Sequence, residues 1–283
     1  MERPKLNYQS KIWNFVNVQA TYTQFPFLME KNRDSTAFTE SDWATTRSSL
    51  DFYQTPTQSA FIDLYHSVDH QIKAALQLMQ VIDLTSFKCI GEIGGVPFRQ
   101  LITILNSNPQ LRFLATDFDH NSLSIFSREL SKFRNSEANN NNKLPFIEFA
   151  RISEQGVFKN FDLTRDNLDL FMDCDIIMMW AVDYALGDSE LRKLLEFIKV
   201  NEITLIVGTI TPIKTSTFLM EKLKTSSLLR KLFRKNKIKL RLHGYFRTSR
   251  YFKKLASELE LNSTTIFTTN WYTVLEIKQN TNR

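Results

Sequence analysis

The chain has 283 residues, 42% of them hydrophobic and 23% charged, with a formal net charge of +6. This composition fits one large globular domain, with or without an appendage, and the mild positive charge permits an anionic ligand. The two cysteines, Cys89 and Cys174, fall inside apolar runs. Their placement argues against a disulfide framework or a cysteine metal site and is typical of buried thiols in a reducing compartment.

No targeting or membrane-spanning segment is apparent in the sequence. The N-terminus, MERPKLNYQSKIW, lacks an apolar core of signal-peptide length. The longest apolar run, Ile176 to Val182, is far shorter than the roughly 20 residues that span a bilayer. We therefore expect a cytoplasmic protein.

The first 84 residues lack the strand–turn–helix rhythm of the rest of the chain. Within them, Phe61 to Val81 repeats apolar residues with the 3.6-residue period of a helix. We predict that residues 1–84 form a mainly helical cap, which packs over the mouth of a second domain at residues 85–283.

Residues 87–119 have the pattern of one β-α-β unit. A short apolar run contains Glu92 and stops at Gly94-Gly95, an amphipathic stretch follows, and a second apolar run ends at Asp117. Glycines let a ligand approach the backbone at the start of a helix, and a carboxylate at the end of the second strand can accept hydrogen bonds from a ribose diol. An ordinary turn in an α/β protein is the alternative explanation for the two glycines.

The rest of the chain continues this alternation. The predicted helices lie at 120–135, 188–200 and 251–259, and the predicted strands at 146–152, 175–180, 203–210, 264–268 and 271–278. We predict an α/β, Rossmann-like, doubly wound fold whose mostly parallel seven-stranded sheet has an antiparallel last strand. Because ligands in such sheets bind beyond the carboxyl ends of the strands, functional residues are expected at 92–97, 117–120, 180–184 and 209–212.

The order of these segments resembles that of class I S-adenosylmethionine-dependent methyltransferases. The matching segments are EIGG at 92–95, ATDFD at 115–119, DIIMMWAVDYALGD at 175–188, ITLIVGTITP at 203–212 and HGYFRTSRYFKKLASELEL at 243–261. The resemblance covers roughly residues 85–280 and has no counterpart for the first 80. Each motif is weak alone, whereas five in the correct order are much stronger.

The resemblance implies S-adenosyl-L-methionine as cofactor and assigns its contacts. Glu92, Gly94 and Gly95 match the loop that holds the methionine part. Asp117 matches the ribose-binding acid, and Phe118 matches the residue beside the adenine. Trp180 matches a position that faces cofactor and substrate.

The glycine loop departs from the family pattern. The family usually has G-x-G-x-G, and here Val96 and Phe98 stand at the later glycine positions. Two side chains at points of close backbone approach are expected to crowd the cofactor or reshape the loop. The acid that often follows the third strand of the family is also not evident in FARISEQG.

Methyl transfer to a hydroxyl needs an aligned acceptor and a general base. The candidates near the expected mouth are Asp183, Tyr184, His120 and His243. We select Asp183 for its position after the fourth strand, and His243 because imidazole titrates near neutral pH. A helix-start carboxylate and an ordinary loop histidine are the structural alternatives.

A metal site is considered at His66 and His70, which are four residues apart on the predicted cap helix. That spacing can place two ligands on one metal. Because no HExxH pattern or third ligand accompanies them, a solvated helix face is the commoner explanation, and we predict no metal.

A basic segment, Lys222 to Arg241, lies within an insertion at about residues 214–242 that interrupts the family pattern. Its nine basic residues are interleaved with apolar ones. Three interpretations remain: a solvated amphipathic helix, contact with an anionic membrane surface, or a grip on nucleic-acid phosphate. The apolar residues favour packing or a membrane interface, so a nucleic-acid partner is not expected.

The sequence predicts an S-adenosylmethionine-dependent O-methyltransferase that acts on a hydroxyl of a sugar or another small molecule. The sugar preference comes from the resemblance of EIGG and the following Arg99 to bacterial sugar O-methyltransferases. The alternative is a catalytically inactive methyltransferase-like binding module, which Val96 and Phe98 suggest. No oligomeric state is predicted.

Overall fold

The structure is a computed structural model that describes residues 69–96, 98–108, 110–135, 156–180, 182–183, 186–210, 247–269 and 272–280. Several predictions fall outside these ranges: the cap before residue 69, the strand at 146–152, the basic segment Lys222–Arg241, and the residues Tyr184 and His243. None of the helices described is both long enough and apolar enough to cross a membrane.

One seven-stranded sheet forms the centre of the described part of the protein. Its strands are β1 (Cys89–Ile93), β2 (Arg112–Asp117), β3 (Gly156–Asn160), β4 (Ile176–Trp180), β5 (Thr204–Ile210), β6 (Leu261–Thr268) and β7 (Tyr272–Gln279). They are ordered β3-β2-β1-β4-β5-β7-β6. β7 runs antiparallel to both of its neighbours, and the other strands are parallel to one another. This confirms the predicted architecture, including the antiparallel last strand.

Helices cover both faces of the sheet. They are α1 (Asp69–Val81), α2 (Arg99–Ser107), α3 (His120–Asn135), α4 (Asp188–Val200) and α5 (Ser249–Glu258). Apolar residues of α1, α2 and α3 pack in one core cluster, and those of α4 and α5 pack in another. Strand β4 contributes alternate residues to the two clusters, with Met178 on one side and Met179 on the other. Its continuous apolar run follows from burial on both faces.

Helix α1 is part of the hydrophobic core on one face of the sheet. Ala74, Ala75 and Leu78 are fully buried in the cluster that contains α2 and α3. The small alanines allow α1 to lie close against α2. The described end of the predicted cap helix therefore packs on a face of the sheet, and the division of the chain at residue 84 stays a prediction.

Strand β3 lies later in the chain than the predicted third strand at 146–152. It comprises Gly156–Asn160 and pairs in parallel with β2 at the edge of the sheet. Its side chains are half-buried or exposed, so it lacks the apolar alternation by which sequence analysis finds strands. The residues after this strand are Phe161 and Asp162, so an acid does follow the third strand, contrary to the expectation drawn from FARISEQG.

Candidate cofactor and acceptor site

The predicted site residues within the described ranges gather at the carboxyl ends of the parallel strands. Gly94 and Gly95 follow β1, Asp117 is the last residue of β2, and Asp183 follows β4. Thr209 is the next-to-last residue of β5. Since these strands are parallel neighbours, their ends open on one edge of the sheet, where ligands of such folds bind.

The turn after β1 needs glycine at its first two positions. Gly94 and Gly95 have φ angles of +70° and +99°, which side-chain-bearing residues rarely adopt. A Cβ on Gly94 would also lie 2.8 Å from a methyl group of Val182, which precedes Asp183. The N–H of Gly94 donates to the carbonyl of Thr116 in β2 at 2.6 Å. The turn is thus held between the ends of β2 and β4.

Phe98 does not crowd this turn. Its ring is fully buried in the core and meets the rings of Phe126 and Phe158 at centroid distances of 5.4 and 5.7 Å. Its backbone has a left-handed φ of 53°, the conformation for which glycine is the usual residue. Phe98 therefore combines a left-handed backbone with a ring that packs in the core, and this position does not support the expected crowding.

Asp117 connects the end of β2 to the glycine turn. Its Oδ2 accepts a hydrogen bond from the N–H of Val96 at 3.2 Å, and its Oδ1 accepts one from the N–H of Asp119 at 2.9 Å. Burial raises the pKa of Asp117 to about 6, although the bonds from Asp119 and Val96 favour the charged form. Each carboxylate oxygen keeps a second lone-pair site, so the residue can still accept hydrogen bonds from a diol.

Glu92 lies beneath the turn with both carboxyl oxygens buried and without a hydrogen-bond partner among the described residues. A Cβ on Gly95 would lie 3.1 Å from its Oε1. Burial raises the pKa of Glu92 well above its ordinary value, and the carboxyl of Asp117 adds to the rise. The backbone N–H of Leu101 lowers the pKa of Glu92, although it does not reach hydrogen-bond geometry with either carboxyl oxygen. A buried acid without a partner is a candidate contact for a cationic or hydrogen-bond-donating ligand.

Phe118 lies immediately beyond β2 and is half-buried. The side-chain amide of Asn160, the last residue of β3, donates to the carbonyls of both Asp117 and Phe118 at 3.0 Å. These bonds fix the backbone beside the position that the resemblance assigns to adenine. Asn160 was not selected from the sequence, since the strand that carries it was not predicted.

Trp180 ends β4 with its ring buried against β5 and β7. The space is supplied by Gly208, its partner in β5, where a Cβ would lie 2.2 Å from the indole. The ring packs edge-on against Tyr272 at a centroid distance of 5.7 Å. Its Nε1 is buried and has no hydrogen-bond partner among the described residues. Trp180 therefore offers one unused donor near the end of β4.

Asp183 lies in a polar cluster that was not predicted. Its Oδ2 is 3.2 Å from the hydroxyl of Thr209, and its backbone carbonyl accepts a hydrogen bond from Nη1 of Arg247. Burial raises the pKa of Asp183 to about 7, while the charge of Arg247 and the hydroxyl of Thr209 act in the opposite direction. A carboxyl that titrates near neutral pH is suited to accept a proton.

The other catalytic candidates do not join this cluster in the described residues. His120 is the first residue of α3 and its side chain is exposed, whereas His243 lies outside the described ranges. Within the part of the chain that the structure describes, no three His, Cys, Asp or Glu side chains are arranged to hold a metal ion. Arg247 was part of the matched segment at 243–261 but carried no signal of its own, because its contacts are distant in sequence.

No protein-family model and no curated protein matches this chain. An O-methyltransferase family protein from Burkholderia thailandensis superposes with a TM-score of 0.54 at 12% identity, over 95% of this chain and 73% of that one. The mitomycin 7-O-methyltransferase MmcR gives 0.52 at 13% identity, over 96% and 68%. Human N-acetylserotonin methyltransferase, solved with SAM, gives 0.50 at 13% identity, over 98% and 68%.

At these identities the likeness concerns the fold. The strand order, the antiparallel β7 and the superpositions all indicate one architecture. The chain has the fold of class I methyltransferases.

Proposed function

We propose that the protein is an S-adenosylmethionine-dependent methyltransferase that methylates a hydroxyl of a small-molecule acceptor. The main support is the hydrogen bond at the end of β2, where the carboxylate of Asp117 accepts from the backbone N–H of Val96. Val96 belongs to a turn whose two glycines have positive φ angles. A buried acid thus lies beside a glycine turn, the combination that binds a nucleoside in folds of this kind. Two of the structural neighbours are named as O-methyltransferases, which supports the same reaction class.

The residues of the turn suit this cofactor in charge and shape. Asp117 is proposed to accept hydrogen bonds from the ribose hydroxyls, and Phe118 to lie beside the adenine. Gly94 and Gly95 leave room for the methionine part, and the oxygens of Glu92 lack a partner among the described residues. When bound, the cofactor supplies a methyl group on a positively charged sulfur. Such a cation favours the ionised forms of nearby acids whose pKa is raised by burial.

Asp183 is the proposed general base. It follows β4, is almost fully buried, and has a pKa raised to about 7 by burial. A base with this proton affinity is ionised often enough at neutral pH to take the proton of an acceptor hydroxyl. His243 remains a second proposed base. Trp180 is proposed to face cofactor and acceptor through its unused Nε1 donor.

The inactive binding module is the less favoured alternative. It was suggested by the side chains of Val96 and Phe98, and the ring of Phe98 is packed in the core with Phe126 and Phe158. The neighbouring Val96 contributes its N–H to Asp117, a bond that any residue other than proline can make. Val96 and Phe98, which stand where the family usually has glycines, are therefore compatible with cofactor binding.

Calorimetry with S-adenosylhomocysteine tests cofactor binding directly. We expect the wild-type protein to bind at a single site, and Asp117→Ala to bind at least about tenfold more weakly, because hydrogen bonds to a charged group contribute about 1.5–3 kcal/mol. Asp173→Asn changes an exposed acid before β4 and serves as the control. Absence of both heat and a thermal shift with the wild-type protein would favour the inactive module.

A saccharide hydroxyl is the narrower form of this proposal. It rests on the resemblance of EIGG and Arg99 to sugar O-methyltransferases. Transfer of a labelled methyl group to a panel of saccharides and of phenolic small molecules compares the two acceptor classes. Incorporation only into the phenols would contradict the saccharide hypothesis and leave the methyltransferase proposal intact.

Contact of Lys222–Arg241 with an anionic membrane surface is a separate proposal based on sequence alone. Co-sedimentation with vesicles that contain anionic lipid, compared with a Lys-to-Glu variant of this segment, tests it. Equal binding of both proteins would contradict it.

A further inference from the structure

Arg247 is a fully buried arginine that holds two parts of the chain together. Its Nη1 donates to the backbone carbonyl of Asp183, and its Nη2 donates to Oδ1 of Asp188 at 2.8 Å. The Arg247 side chain is 1% exposed and that of Asp188 35% exposed. One guanidinium therefore fixes both the residue that carries the proposed base and the first residue of α4.

Tyr251 in α5 also contacts this guanidinium and its partner Asp188. Its hydroxyl donates to the same Oδ1 of Asp188 at 2.8 Å, and its ring lies 5.2 Å from the guanidinium carbon of Arg247. A planar guanidinium suits this arrangement because it can donate in two directions and stack on a ring at once. The geometry leaves Arg247 little freedom to turn away from Asp183.

The carboxyl of Asp183 is held from its other side by Thr209. The Thr209 hydroxyl lies 3.2 Å from Oδ2 of Asp183 and 2.6 Å from the carbonyl oxygen of Arg247. A hydroxyl has a single proton, so it donates to one of these oxygens at a time. When it donates to the carbonyl, the contact with Oδ2 is a hydrogen bond only if Asp183 is protonated. The cluster can thus accommodate both protonation states of Asp183.

We propose that Arg247 is a positioning residue for the methyl transfer, one that acts by holding Asp183 in place through its main chain and through Thr209. This inference rests on the proposed function, because the role of Asp183 does. In the transfer, the acceptor oxygen forms a bond to the methyl carbon as the sulfur–carbon bond breaks and leaves a neutral thioether. The hydroxyl proton passes to the carboxylate of Asp183.

The groups that act on Asp183 come from several elements. They are the guanidinium of Arg247 and the hydroxyl of Thr209 in β5. Asp183 in turn acts on the phenol of Tyr272 in β7: burial raises the pKa of Tyr272 to about 12, and the charge of Asp183 adds to the rise. Asp188 and Tyr251 act through the guanidinium. Arg247 brings the positive charge that opposes the effect of burial on the pKa of Asp183.

Titration of Asp183 by ¹³C NMR on aspartate-labelled protein tests this role, with the signal assigned by its loss in Asp183→Asn. The variants are Arg247→Met, which removes charge and donors, and Arg247→Lys, which keeps the charge but loses the planar fork. Arg192→Met is the matched control, because Arg192 also links α4 to α5, through an exposed ion pair with Glu258.

We expect Asp183 to titrate near pH 7 in the wild-type protein and in Arg192→Met. Its midpoint is expected to rise by about 1–3 pH units in Arg247→Met, as for loss of a neighbouring opposite charge, and by less in Arg247→Lys. An unchanged midpoint in both Arg247 variants, or an equal rise in Arg192→Met, would overturn the inference. If Arg247→Met does not fold, the Arg247→Lys variant alone is used: a raised midpoint of Asp183 supports the inference, and an unchanged midpoint overturns it.

This measurement is independent of the proposed function. Failure of the wild-type protein to bind S-adenosylhomocysteine would remove the methyltransferase proposal, and with it the reaction for which Arg247 positions Asp183. An unshifted Asp183 titration, together with intact cofactor binding, would remove the role of Arg247 alone.

Discussion

The carboxylate of Asp117 accepts a hydrogen bond from the backbone N–H of Val96 at 3.2 Å, so the last residue of one strand is joined to the turn that follows its neighbour. The two residues are 21 positions apart, and the contact exists because β1 and β2 are parallel partners. A single buried acid thereby both shapes the glycine turn and offers the oxygens that a ribose would use.

Cofactor affinity is expected to fall at acid pH. Burial raises the pKa of Asp117 to about 6, so below that pH the residue gains a proton and loses acceptor capacity. If the ionised form binds, the dissociation constant of S-adenosylhomocysteine rises by up to about tenfold per pH unit below 6. Calorimetry from pH 5 to pH 8 measures this. Asp117→Asn should bind S-adenosylhomocysteine weakly, with an affinity that depends much less on pH. If the affinity of this variant falls just as steeply at acid pH, another group causes the fall, and Glu92 is the first candidate.

The unliganded protein is expected to lose stability as pH rises from 5 to 7. Burial raises the pKa of Asp183 from 3.8 to about 7, so in this range the folded state keeps a proton that the unfolded state has released. The free energy of unfolding then decreases with pH, by about 1.4 kcal/mol per unit for each such acid. Asp117 and Glu92 act in the same direction.

Urea unfolding at several pH values measures this slope. Asp183→Asn should reduce it, whereas Asp173→Asn, at an exposed position, should leave it unchanged. Equal slopes in the wild-type protein and Asp183→Asn would show that Asp183 is already ionised in the folded protein throughout this range.

Two substitutions of Phe98 separate the effect of its left-handed backbone on stability from the effect of its ring contacts. Phe98→Ala loses the ring contacts and should destabilise the fold by about 3–5 kcal/mol. Phe98→Gly loses the same contacts but fits the left-handed backbone, so we expect it to be more stable than Phe98→Ala by about 1–2 kcal/mol. Glycine is already favoured over alanine at a helix N-cap, and the left-handed φ at this position strengthens that preference.

Urea unfolding of the two Phe98 variants tests that order. Both should bind S-adenosylhomocysteine within about threefold of the wild-type affinity under conditions where they are folded, because a packed core ring contributes no ligand contact. A large gain in affinity on removal of the ring would mean that Phe98 does obstruct the cofactor.

Gly94 and Val182 form a pair suited to a double-mutant cycle. Gly94→Ala introduces a methyl group that would lie 2.8 Å from Val182 at a φ of +70°, so both strain and a clash are expected. We expect Gly94→Ala to reduce stability by roughly 2–4 kcal/mol, from left-handed strain and overpacking together. Val182→Ala in the same protein should restore the part that is due to the clash.

The cycle is completed by Val182→Ala alone, with thermal or urea unfolding as the measurement. A coupling energy of about 0.5–3 kcal/mol is typical of residues in contact. Strict additivity would show that only the backbone angle of Gly94 matters.

Local pattern was sufficient for most of the fold. The helix at 188–200 was predicted with its observed limits, because its apolar period is regular and acids occupy its first turn. β4 was recognisable as a run that is apolar at every position. β3 was missed, since an edge strand with half-buried and exposed side chains carries no such signal.

From the sequence, site residues could be proposed only at or just after the ends of predicted strands. Asp117, the last residue of β2, and Asp183, three residues after β4, were proposed in this way. The contacts of Arg247 with Asp183 and Thr209 span 64 and 38 positions, and no local pattern reports on them. The core packing of the Phe98 ring could not be foreseen, because a sequence motif does not specify side-chain direction.

The left-handed backbone of Phe98 has a consequence for how such proteins are recognised. At this position the chain combines a left-handed dihedral angle with a large side chain, and the ring contacts offset the strain that glycine would have avoided. A motif that requires a third glycine in this loop excludes this chain, although its backbone conformation there is one that glycine readily adopts.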